Sequence, residues 1–251
     1  MKAALSGLGV MAYLICLLLT LPASLAWQWL DDRGKVPEHV ELAGISGTFW
    51  QGQARQVRVN GLMLSDLQWQ VRPLALLRGE LRLDVRLQLA GGKATARLGI
   101  QPSGLGVQNL RADLPAAALA EAGLNVPLIV QGRVLADIAH LELDWQGRFG
   151  QATGVVGWLN AAMGLPEPLP LGDLRVTLRA TEAGHLQAVV QDQGGPLFAE
   201  GTAALTPDGA YQVHLRLGTR EGARQELSQA LGFLGRPDRE GRIPLNLSGR
   251  F

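Results

Sequence analysis

The residues able to do chemistry in this chain are scattered. The four histidines, His39, His140, His185 and His214, stand far apart, and none has a second histidine or cysteine at metal-ligand spacing. Hydrolysis through an activated serine would call for a G-x-S-x-G elbow, which Ser46, Ser65, Ser103, Ser228 and Ser248 all lack. No glycine loop has the phosphate-cradling pattern. Acid–base work by paired carboxylates would draw on Asp31 with Asp32 or Asp238 with Glu240, yet both pairs fall in polar sequence where solvated charge is the ordinary state. Cys16 is the single cysteine and lies in an apolar N-terminal run, so the rest of the chain can form neither a disulfide nor a thiolate metal site. The sequence therefore predicts no catalytic residue, no cofactor and no metal.

What remains to be positioned is surface. The chain has 251 residues, 47% hydrophobic and 18% charged, enough for one large or two modest domains. Glycine makes up 32 of the 251, against a usual share of about 7%, and without collagen-like period or Gly/Ser tracts it points to many turns and bulges. A net charge of +1 with dispersed basic residues carries no footprint for nucleic acid.

From Ala3 to Leu30 no residue is charged. A run of this length exceeds the roughly 20 residues a membrane-spanning helix requires. Residues 1–30 are accordingly read as an N-terminal membrane anchor, with Leu5, Val10, Leu14, Leu18 and Leu21 in its apolar stretch and Trp27 and Trp29 at the interface. Lys2 before it places the N-terminus in the cytoplasm. The rival reading is a cleaved signal peptide, because Pro22-Ala23-Ser24-Leu25-Ala26 ends in small residues where a signal peptidase reads. Residues 31–43 form a polar connector, and 44–251 the β-rich exported domain.

The domain opens on Gly44-Ile45-Ser46-Gly47-Thr48-Phe49-Trp50-Gln51-Gly52, whose glycines around a β-branched and aromatic centre suit a bent strand or bulge. Leu67, Trp69 and Val71 then alternate with Gln68, Gln70 and Arg72, the period of a half-buried strand. After Pro73, the run Leu74-Ala75-Leu76-Leu77 closed by Gly79 reads as one helical turn with a glycine stop. Trp50, Trp69, Trp145 and Trp158 are expected as core anchors.

Beyond Gly79 the alternation is cleanest in Leu81 to Leu89, followed by a Gly91-Gly92 hairpin turn and a return strand through Ile100. Further strands are predicted over 107–114, 132–135, 141–145, 153–159, 174–179, 186–191, 197–205, 211–217 and 242–251, with helices at 115–123 and 221–234. Residues 164–172, with three of the 13 prolines, divide two similar modules or form a loop inside one sheet. The fold class is mainly β: about ten to twelve antiparallel strands, each wet on one face, in one or more large curved sheets with two or three short helices. A wet face of Arg and Gln, or an open sheet edge, is the expected protein-docking surface.

The stretch Gly44 to Gly52, then Leu67-Gln68-Trp69 and Pro73-Leu74-Ala75-Leu76-Leu77-x-Gly79, resembles the front of the type II secretion system protein N family, also called general secretion pathway protein N. The resemblance continues more loosely through Leu114-Pro115-Ala116, the Gly132 and Trp145 region, Asp208-Gly209-x-Tyr211 and Gly241-Arg242-Ile243-Pro244-Leu245. It implies a non-enzymatic inner-membrane, largely periplasmic accessory subunit of the machine that exports folded proteins through an outer-membrane secretin. The implied partners are other secretion-system subunits, foremost the inner-membrane one that links the platform to the secretin. Gly44, Gly47, Thr48, Trp50, Gly52, Leu67, Trp69, Pro73, Leu77 and Gly79 are then structural. A more distant likeness to AsmA-like proteins, whose curved sheets form lipid-facing grooves, implies lipid as an alternative ligand. Alternating strands and a terminal Phe251 also fit an outer-membrane barrel, though 13 aromatic residues are few for two girdles.

Overall fold

The computed structural model describes residues 20–31, 40–59, 62–76, 79–89, 91–123, 128–164 and 166–250. The alternating segments form a single antiparallel meander of 13 strands in chain order. They are β1 Val40–Gly47, β2 Gln51–Val59, β3 Leu62–Val71, β4 Leu81–Leu89, β5 Gly92–Gln101, β6 Gly104–Pro115, β7 Ile129–Asp144, β8 Phe149–Gly164, β9 Leu169–Ala180, β10 Leu186–Asp192, β11 Leu197–Leu205, β12 Ala210–Thr219 and β13 Ile243–Arg250. Among the described residues four short helices accompany them: α1 Ala23–Asp31, α2 Pro73–Leu76, α3 Ala116–Gly123 and α4 Gln225–Gly232. Strands β1 and β13 are the two edges and do not pair with one another, so the sheet is open. An outer-membrane barrel abolishes its edges by closure, which this sheet does not do.

Because a meander reverses at every turn, its turns fall alternately on two rims. The near rim holds the β1–β2, β3–β4, β5–β6, β7–β8, β9–β10 and β11–β12 turns; the far rim holds the others, including the connections that carry α3 and α4. The near rim is strongly coiled. A Cβ on Gly147, in the β7–β8 turn, would lie 2.6 Å from the Pro207 carbonyl in the β11–β12 turn. At about 4.8 Å per strand, a flat sheet would hold these turns roughly 19 Å apart. The β9–β10 turn joins them, with the Phe149 N–H donating to Gly184 O at 2.9 Å.

Bulges supply part of this shape. Asp66, Asn109 and Asn160 have φ of 51°, 50° and 48°, and each sits at a register shift, in β3, β6 and β8. Asp and Asn tolerate the left-handed region better than other non-glycine residues, so a bulge at these places costs little.

Several boundaries differ from the sequence expectation. Strand β1 starts at Val40, inside the expected connector. Gly44 to Gly52 is not one bent strand but the end of β1, a tight turn and the start of β2. The short strands expected at 132–135 and 141–145 are one 16-residue strand, β7. A bulge at Ala139 divides its alternation: that residue is extra between the pairs Ile138–Gly154 and His140–Thr153. The proline-rich 164–172 segment is the β8–β9 turn and the start of β9, and pairs such as Met163 with Leu169 carry the sheet straight through it.

One cluster of buried residues lies beneath α4. Leu227 and Leu231, one turn apart on α4, pack with Ala161, Leu171, Leu197, Ala199 and Ile243. The helix is shorter than the predicted 221–234 and ends at Gly232, which leaves Leu234 half exposed instead of on the apolar face. At the edge of this cluster Asp192 has a side chain only 6% exposed. Burial pushes its carboxyl up, but the Arg220 guanidinium at 2.5 Å and the N–H groups of Ala199 and Gly194 outweigh that and hold it below the ordinary carboxylate value. On the near rim, Asp208 is lowered to about 2 by the Thr206 hydroxyl and Arg250, a tie between β13 and the β11–β12 turn.

Candidate functional site

The opening motif folds into a latch between the N-terminal segment and the sheet. Gly47 turns the chain at φ 90°, and a Cβ there would strike Gln51 O at 2.5 Å. Thr48 staples the turn: its hydroxyl oxygen accepts from the Gln51 N–H at 3.1 Å. Trp69, on β3, lays its ring over Gly52 of β2 and donates its indole N–H to Phe49 O at 3.1 Å. A Cβ on Gly52 would sit 2.3 Å from the ring's Cζ2, so only glycine leaves room. Phe49 and Trp50 meet edge to face at 5.3 Å, and the Val71 N–H donates to Trp50 O at 2.7 Å. The turn in turn holds the chain's entry: Phe49 N–H donates to Leu21 O at 2.9 Å, and Pro22 bridges Thr48.

Other motif residues behave locally as their types dictate. Gly44 has φ 70° and is skipped by the β1–β2 register, which passes from Ala43–Gln56 to Ile45–Ala54. Pro73 opens α2, and Gly79 at φ 72° receives the chain at its end, its N–H donating to Leu76 O. Leu67 pairs with Ala54 on β2. Leu77 lies outside the described residues, as do Leu5, Val10, Leu14 and Leu18. Leu21 accepts from the Phe49 N–H at the latch, and Trp27 and Trp29 lie on α1, whose Ala23 is buried. Among the described residues no helix is long and apolar enough to cross a membrane.

The sheet separates its side chains by face. One polar row runs through successive cross-strand partners Ser46, Gln53, Gln68, Arg86, Thr95, Arg111 and Asp137. A second runs Gln70, Asp84, Arg97, Gln108, His140, Thr153 and Arg179. On this side a depression of about 890 Å³ opens over β2 to β6, lined by Gln68, Arg72, Asp84, Arg86, Arg97 and Arg111 among others. Asp84 accepts from Arg72 Nε at 2.7 Å and Arg97 Nε at 3.0 Å. Burial pushes its carboxyl up, and these two arginines more than reverse the shift, holding it below its ordinary value. The opposite face is apolar, with the row Leu110, Ile138, Gly154, Leu178, Ala188, Ala203, Val213 and Leu247 crossing from β6 to β13. Most of that row is half-buried, and among the described residues α4 packs against this side.

Among the described residues the reactive types stand apart; His39, Cys16 and Asp32 lie outside them. His214 Nδ1 meets Asn246 Oδ1 at 2.8 Å on the polar face, His185 sits in the β9–β10 turn and His140 on β7. Ser228 donates to Thr219 Oγ1 and Ser103 to Gln101. Among the described residues no three His, Cys, Asp or Glu side chains come together as a metal site. Of the four tryptophans expected as core anchors, Trp50, Trp69 and Trp158 are half-buried and Trp145 is 65% exposed. What sequence reasoning missed is their common use: the indoles of Trp69, Trp145 and Trp158 each donate to a backbone carbonyl of a neighbouring strand or turn. The echo of Leu67-x-Trp69 in Leu143-x-Trp145 is the one sequence signal that pointed there.

An open one-sheet meander with faces of opposite polarity, latched at its first turn to its N-terminal segment, defines a protein that offers surface and edge rather than a cleft. Comparison with known proteins makes this specific. The family model for type II secretion system (T2SS), protein N, matches residues 38–246. A type II secretion system protein N from Vibrio cholerae serotype O1 is 34% identical over 245 residues, covering 92% of this chain and 91% of that protein. The protein of the same name from Klebsiella pneumoniae is 30% identical over 242 residues, covering 95% and 92%. One from Aeromonas hydrophila is 28% identical, covering 99% and 98%. No solved structure matches the chain significantly. This chain belongs to the type II secretion system protein N family.

Proposed function

We propose that the chain is a non-enzymatic accessory subunit of the type II secretion system, held in the inner membrane by its N-terminal segment with the sheet in the periplasm. It acts in assembly or in protein–protein contacts during export of folded proteins across the outer membrane. The observation that carries this reading is the end-to-end likeness to proteins of that name, over more than nine-tenths of both chains for the Vibrio cholerae and Klebsiella pneumoniae relatives. The leading partner is the inner-membrane subunit that joins the platform to the secretin. The geometry supports strand addition at β13, which among the described residues pairs with β12 alone. The other edge differs, because Pro22 bridges the β1–β2 turn and α1 packs on β1. An extended partner segment completes an open edge through main-chain hydrogen bonds.

A photo-cross-linking residue at Asn246 or Ser248 on β13 tests this in secreting cells. The expected adduct is with another secretion-system subunit. Adducts with lipid alone would favour the second reading, a lipid-binding module, which the half-exposed apolar face supports.

A further inference from the structure

The described N-terminal segment meets the sheet at the near rim. Leu21 and Pro22 are bound to Phe49 and Thr48 at the β1–β2 turn. Immediately before them lie the 18 uncharged residues Ala3 to Thr20. As a helix they would extend roughly 27 Å, close to the thickness of a bilayer's hydrocarbon core. Consecutive Cα atoms are only about 3.8 Å apart, so nothing between Thr20 and Leu21 can hold the rim away from the end of that segment.

The same rim exposes large apolar side chains where turns ordinarily carry polar ones. Leu74 is 78% exposed and Leu76 43% on α2, and Trp145 is 65% exposed in the β7–β8 turn. Ile100 and Leu105 flank the β5–β6 turn between them. The Trp145 ring does not swing free: its indole N–H donates to Pro102 O at 2.8 Å, which satisfies its polar atom and leaves the ring apolar to its surroundings. Among the described ionic groups nearby, Arg72 pairs with Asp84 and Arg148 with Asp144.

We propose that the near rim rests on the bilayer that residues 3–20 cross, with Leu74, Leu76 and Trp145 seated in its interface. The proposal rests on the reading of the N-terminal segment as an uncleaved anchor. Its consequence is an orientation. The strands rise away from the membrane, and β7 and β8, at 16 residues each, carry the far rim with α3 and α4 roughly 50 Å from it.

The test uses the full chain in liposomes, with Cys16 replaced by serine and a nitroxide on Leu74→Cys, Trp145→Cys or, on the far rim, Met163→Cys. Collision with oxygen, which concentrates in lipid, is compared with collision with a water-soluble nickel chelate. Labels at 74 and 145 are expected to favour oxygen, at a depth of about 5–10 Å into the headgroup and acyl boundary, and the label at 163 to favour nickel. The label at Leu74 guards against a folding defect from losing Trp145. Nickel access at 74 and 145 equal to that at 163, in protein that resists alkaline extraction, overturns the seated rim while the anchor stands. Release by alkali overturns the anchor, and the proposal with it.

Discussion

Gly52→Ala destabilises the sheet by about 1–3 kcal/mol, the range for forcing one carbon into a filled space. The new Cβ would lie 2.3 Å from Trp69 Cζ2 and 2.9 Å from Ser46 O, so both the ring and the β1 backbone must move. Trp69→Ala costs about 3 kcal/mol, the lower end for a large aromatic because the ring is half-buried. The two changes are coupled. With the ring gone, most of the space a Cβ at residue 52 needs becomes free, so the double variant loses less than the sum by about 0.5–3 kcal/mol. Urea unfolding of the detergent-solubilised chain measures all three. Strict additivity would mean that Trp69 does not lie on Gly52 and that the latch is drawn wrongly.

Leu231→Ala and Leu227→Ala are each expected to cost about 2–4 kcal/mol, the lost transfer energy of a buried leucine plus the cavity left behind. Both side chains are less than a tenth exposed and bring α4 onto Leu171, Leu197, Ala199 and Ile243. The damage should be regional, since contacts in a meander run mainly between adjacent strands. Hydrogen exchange should quicken in β11 to β13 and leave β2 to β5 unchanged. Uniform acceleration over the whole sheet would contradict a cluster confined to α4 and the strands beneath it.

The two largest effects fall in places of different legibility. Leu81–Leu89 was readable to the residue, because unbroken alternation fixes both the strand and its faces. The latch was not. Its glycines signalled an irregular backbone, but that Gly52 lies under Trp69 depends on pairing across β2 and β3, which no local pattern records. Strand β7 was read as two fragments and β8 only over 153–159, because the bulges at Ala139 and Asn160 each add a residue and flip the parity of the residues after them. The polar face was visible strand by strand as Arg and Gln alternating with apolar residues. Its continuity from Ser46 to Asp137 emerges only from the register. The near rim was hidden for the same reason: Leu21, Leu74 and Trp145 are far apart in sequence and meet at one end of the sheet through the meander alone.

A sheet hung by its first turn, with a long polar face and an open last strand, fits the proposed scaffold role in a secretion machine. The latch makes that work depend on the N-terminal segment, since the turn that Trp69 supports is the turn that grips Leu21 and Pro22. The most direct measurement is the fate of exported proteins in cells deleted for this chain. Folded enzymes that normally reach the medium should accumulate in the periplasm, and the intact chain should restore their release. Unchanged secretion together with altered envelope lipids would contradict a secretion role and turn attention to the apolar face.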